Sequence, residues 1–144
     1  MRLWGAMRGV IRRVPLMGSM PSAGLASLTT RAVPADDGWL VSGQKVWTSY
    51  AIQSRWGICL ARTDLEAKKH AGISYLVVDM EADGIEVRPL TQITGEAEFN
   101  EVFLDEVFVP DDQLVGGLHQ GWSVASTTLS HERGTIFAFK EQVV

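Results

Sequence analysis

The chain is poor in the residues that staple or anchor a fold. It has a single cysteine, Cys59, which excludes an internal disulfide and fits a reducing compartment, so a cytoplasmic location is the expectation. Cys59 lies in the apolar run Trp56-Gly57-Ile58-Cys59-Leu60-Ala61 and reads as a small core residue rather than a reactive thiol. No apolar run approaches the roughly 18 residues of a membrane span. The formal net charge is -4, and the 13 lysines and arginines are scattered, so nothing attracts nucleic acid or an anionic membrane. The three histidines, His70, His119 and His131, lack zinc-site spacing, so no metal is expected. The stretch Gly116-Gly117-Leu118-His119-Gln120-Gly121 has neither the dinucleotide fingerprint nor the Walker spacing, and reads as a glycine hinge. No internal repeat is present.

What remains is a chain of 144 residues, 46% hydrophobic and 21% charged, long enough for one domain with a core and too short for two. Residues 1–18 hold four arginines, Arg2, Arg8, Arg12 and Arg13, and no acid. Arginine and glycine interrupt the apolar residues there, which argues against a secretory signal. The segment reads as a frayed or wrongly assigned start, with an amphipathic transit peptide as the weaker alternative.

From Leu28 onward, β-rich runs alternate with turn residues at the spacing of an antiparallel all-β domain, a barrel or sandwich. Strands are predicted at 29–33, 39–41, 44–50, 56–62, 73–80, 85–93 and 98–109. Turns fall at 34–38, at Ser42-Gly43 and at Ala82-Asp83-Gly84. The polar segment 64–72 reads as a solvated connection. Beyond Gly116-Gly117 the apolar period changes: Ala125, Leu129, Ile136 and Phe139 mark one face of a helix over about 120–142. Gly134 weakens it by about 1 kcal/mol relative to alanine. A β-domain ending in one helix leaves that helix without partner helices, so self-association through its apolar face is expected.

The stretch Gly43-Gln44-Lys45-Val46-Trp47-Thr48-Ser49-Tyr50-Ala51 ends a strand with a tryptophan beside two hydroxyls. An aromatic ring there can cover a planar cofactor while Thr48 and Ser49 offer hydroxyl or backbone donors to its edge. On residue chemistry alone a second reading stands beside it, with Trp47 in the core and the hydroxyl residues as ordinary strand formers.

Seven ordered segments supply context: LASLTTRAV (25–33), DGWLVSGQKVWTSYA (37–51), LARTD (60–64), GISYLVVDM (72–80), GIEVRPLTQITGEAEFNEVFLDEVFVP (84–110), LVGGLHQGWSVA (114–125) and LSHERG (129–134). In order and spacing they resemble the middle β-domain of the acyl-CoA dehydrogenases and the opening of the helix after it. The resemblance implies a basic non-matching segment at 1–18, the β-domain at 19–115 and the first helix of a truncated helical domain at 116–144. It implies FAD as cofactor, with Trp47 packed on the flavin and Thr48 and Ser49 at the isoalloxazine edge. The implied reaction is α,β-dehydrogenation of an acyl-CoA thioester, in which a carboxylate takes the α-proton and the β-hydrogen leaves as hydride. The implied electron acceptor is an electron-transfer flavoprotein. In some members the base matches Glu132, with Arg133 beside it; the alternative for this pair is a solvated helical ion pair. The family's loop Ser/Thr-Glu-Pro-Gly-Ala-Gly-Ser-Asp stands here as Ser19-Met20-Pro21-Ser22-Ala23-Gly24-Leu25, without its glutamate, first glycine and Ser-Asp pair. Two functions follow: a dehydrogenase by descent with little activity by itself, or a non-catalytic β-domain that holds no flavin.

Overall fold

The computed structural model describes residues 16–17, 29–68, 70–93, 95 and 99–141, with the side chains of 16, 17 and 132–141 excepted. Eight strands precede one helix: β1 (Leu16–Met17), β2 (Arg31–Ala35), β3 (Gly38–Ser49), β4 (Trp56–Arg62), β5 (Ile73–Asp79), β6 (Ile85–Leu90), β7 (Phe99–Pro110), β8 (Leu114–Val115) and α1 (Gly121–Glu141). They form one sheet in the order β6-β7-β3-β2-β4-β5-β8, with β1 beside β4. The mainly β architecture ending in a long helix is the expected one. The sheet is mixed and open among the described residues rather than closed, and two of its pairings, β1 with β4 and β2 with β4, are parallel. The second follows from chain direction: β4 returns alongside β2 instead of β3, so the two run the same way and meet at Arg31 and Arg62.

The two strands predicted at 39–41 and 44–50 are one, β3, and Ser42-Gly43 is no turn. Ser42 faces a bulge in β7, where Glu106, at φ 48°, donates its backbone N–H to Ser42 Oγ at 3.1 Å. Gly43 is required by proximity, since a Cβ there would lie 2.7 Å from Thr30 Cα. The expected turn at 34–38 is present at Asp36 and Asp37, with Asp37 at φ 58°, a left-handed position that aspartate tolerates.

Alternation along β4 and β5 explains their nearly continuous apolar sequence. Cys59 and Ala61 of β4 and Leu76 and Val78 of β5 join Trp39, Val41, Val102, Leu104, Val107 and Val109 in the main core. Their neighbours Leu60, Ile73 and Tyr75 face the other way and pack with Ala125 of α1. Strands buried on both faces carry apolar residues at every position. The helix is therefore not without a partner: its first turns lie on β5. Gly121 makes the approach possible, because a Cβ there would meet the backbone of Ser74 and Tyr75 at 2.5 to 2.7 Å.

Candidate functional site

In β3, Trp39, Val41 and Lys45 are buried, and simple alternation would bury Trp47 as well. A bulge prevents this. Lys45 pairs with Val102 and Thr48 with Asn100, so Val46 and Trp47 together oppose Glu101. Trp47 takes φ 63°, a left-handed conformation that costs a bulky residue about 1 to 2 kcal/mol. The extra residue shifts the register of inward positions, so that Thr48 becomes buried and Trp47 is 50% exposed. Bulges re-aim side chains in this way beside functional sites. The indole meets the Phe99 ring edge to face, with centroids 5.6 Å apart. Ser49, opposite Phe99, is half-buried.

Thr48 lies wholly inside, and its Oγ1 has no hydrogen-bond partner among the described residues. Asn100 is buried opposite it and donates Nδ2–H to the Thr48 carbonyl at 3.0 Å. The bulge therefore places Trp47 and Ser49 at the surface and the Thr48 hydroxyl beneath it. Lys45 is the other buried polar side chain of β3. It is fully buried and donates to the Leu60 carbonyl at 2.9 Å. Burial pushes its amine below the ordinary lysine range, with the nearby Cys59 opposing weakly, and burial pushes the Cys59 thiol up.

The sequence readings do not single out Asn100, Phe99 and Lys45. The signal was present: Asn100, Val102 and Leu104 alternate inward on β7, as Lys45 does with Trp39 and Val41 on β3, and a polar residue at an inward position stands out. Of the other residues weighed, Cys59 is in the core as expected. The segment Gly116-Gly117 is a hinge, with φ of 78° and 90°, joining β8 to α1. His119 within it is tied down: its Nδ1 lies 2.9 Å from Thr63 Oγ1 and its backbone N–H donates to Ser74 Oγ at 3.0 Å. His70 stacks on Trp122 with ring centroids 3.7 Å apart. The predicted connection 64–72 is thus packed against the helix start. A cavity beyond Tyr50, lined by Ile52, Ser54, Arg55 and Met80 among others, holds no free cation for an anion, since Arg55 pairs with Asp79 and Glu81. Residues 19–25 lie outside the described residues, as do the side chains of Glu132 and Arg133 on α1.

The acyl-CoA dehydrogenase middle domain matches residues 19–107 of this sequence. The chain belongs to the acyl-CoA dehydrogenase family. It is 62% identical over 117 residues to the acyl-CoA dehydrogenase FadE34 of Mycobacterium tuberculosis, covering 80% of this chain and 16% of that protein. It is 48% identical over 128 residues to the acyl-CoA dehydrogenase IpdE1 of the same organism, covering 88% and 33%. Among solved structures, the steroid acyl-CoA dehydrogenase Tcur3481-Tcur3483 superposes with a TM-score of 0.77 at 37% identity, over 83% of this chain and 32% of that one. A glutaryl-CoA complex of glutaryl-coenzyme A dehydrogenase gives 0.75 at 29% identity, over 83% and 31%. The chain thus spans a third or less of the length of these acyl-CoA dehydrogenases.

Proposed function

We propose that this chain is the flavin-facing β-domain of an acyl-CoA dehydrogenase, contributing one wall to the FAD-dependent α,β-dehydrogenation of an acyl-CoA thioester and turning over little by itself. The observation that carries this reading is the half-exposed Trp47 indole, turned outward by a left-handed bulge. A half-exposed ring, with a serine hydroxyl two residues on, fits a planar aromatic group with hydrogen-bonding edges. When bound, FAD supplies the two-electron acceptor. In this reading Trp47 covers one face of the ring system, Ser49 offers its hydroxyl to the edge, and Thr48 contributes through its backbone. Glu132 holds the position of the base on α1, next to Arg133. An electron-transfer flavoprotein is the partner that would take the electrons onward.

A non-catalytic β-domain without flavin is the second reading, and the altered sequence at 19–25 favours it. Titration of the purified chain with FAD separates the two. Saturable binding that quenches flavin fluorescence, lost in Trp47→Ala, is expected. A chain that takes up no FAD at high micromolar concentration would overturn the first reading and leave the second. The likeness to a steroid acyl-CoA dehydrogenase argues for including steroid acyl-CoA thioesters beside straight-chain acyl-CoAs in any substrate panel.

A further inference from the structure

Two consecutive residues of β7 hold the Trp47 bulge from opposite sides. On the inner side, Asn100 stands among Val102 and Leu104 as a buried amide. Such a group is costly to desolvate, and while its Oδ1 has no hydrogen-bond partner among the described residues, the bond made by its Nδ2 offsets part of the cost. Its Nδ2 donates to the Thr48 carbonyl at 3.0 Å, the first carbonyl after Trp47. On the outer side, Phe99 meets the indole edge to face at 5.6 Å. Between these holds the backbone of Trp47 sits at φ 63°, a conformation that persists only when the surroundings impose it. Phe99 can receive the ring only after the chain has turned outward. The side-chain bond to the Thr48 carbonyl acts on the backbone itself.

We propose that Asn100 is a positioning residue: its amide, by fixing the Thr48 carbonyl, keeps the bulge in place and the Trp47 ring turned outward against Phe99. Its consequence for flavin rests on the reading given above; its structural content does not. Asn100→Leu keeps the branched side-chain skeleton and removes the donor. Asn100→Ser keeps a polar group too short to span the strands.

The test uses the ¹⁵N-labelled 144-residue chain, with the Trp47 indole N–H resonance assigned by its loss in Trp47→Phe. In both Asn100 variants this resonance is expected to shift and broaden, and FAD affinity to fall about tenfold. Val102→Ala, which removes packing from the next inward position of β7, should lower the melting temperature while leaving the Trp47 resonance in place. An unmoved Trp47 resonance in the Asn100 variants overturns the proposal. Global unfolding of both variants overturns it too, since Asn100 would then serve stability alone. If the wild-type chain binds no FAD, the flavin reading fails, while the Trp47 resonance still decides the role of Asn100.

Discussion

Lys45 carries its amine into the core, and its titration gives the chain a pH dependence of definite sign. Burial lowers its folded pKa, so the folded state binds fewer protons than the unfolded chain wherever the pH lies between that lowered value and the ordinary one near 10.4. Stability therefore rises with pH in this window, by at most about 1.4 kcal/mol per pH unit for a one-proton difference. The raised thiol of Cys59 acts oppositely, but only above its ordinary value of about 8.5. Urea unfolding at a series of pH values up to the ordinary lysine value should show the positive slope once the pH exceeds the lowered value, and Lys45→Met should flatten it. Trp47 offers a separate test. Trp47→Ala should abolish flavin binding at a cost of about 1 kcal/mol, the worth of one aromatic pair. Trp47→Gly should be at least as stable as the alanine variant, because glycine takes φ 63° without strain. A glycine variant clearly less stable than alanine in thermal unfolding would contradict the bulge. Thr48→Val deletes a buried hydroxyl without a partner among the described residues and should stabilise by about 1 kcal/mol.

At the scale of elements, the docking of α1 depends on Gly121. A methyl group there would collide with the backbone of Ser74 and Tyr75, atoms that cannot rotate away. Alanine normally favours a helix by up to about 1 kcal/mol over glycine, but the clash reverses the sign. Gly121→Ala should destabilise by about 1 to 3 kcal/mol, read as a lower melting temperature and faster hydrogen exchange along β5. Most element positions were legible from the residues. The strand predicted at 56–62 is Trp56–Arg62, and the helix predicted at 120–142 is Gly121–Glu141. β3 was not legible, because Ser42-Gly43 carries turn chemistry that serves instead as a contact with the β7 bulge and with Thr30.

For the whole molecule, dehydrogenation needs base, thioester and electron acceptor fixed together within about an ångström. This chain spans 16% of FadE34 and 33% of IpdE1. In the proposed function its sheet and α1, 21 residues from Gly121 to Glu141, would supply one wall of such a site. Little or no reduction of an artificial acceptor is expected when FAD and acyl-CoAs are added to this chain alone. Robust turnover that disappears in Glu132→Gln would reverse that and mark Glu132 as the base. Self-association is the companion expectation, carried by the apolar period Ala125, Leu129, Ile136 and Phe139. Ala125 is already covered by the sheet, so an interface between copies would use the residues beyond it, and sedimentation showing a monomer at all concentrations would refute it.

The sequence by itself determined the family, the β-rich body, the terminal helix and the stretch around Trp47, because these rest on local period, turn chemistry and ordered motifs. It left open whether Trp47 is core or surface. Tertiary structure decided that, since the answer depends on pairing: two residues of β3 face one of β7, and this single extra residue inverts which side chains point inward. The same inversion buried Thr48 and brought Asn100 opposite its carbonyl, across a separation of 52 residues. No local pattern encodes a contact of that range, and strand register, set by the whole sheet, is what makes it.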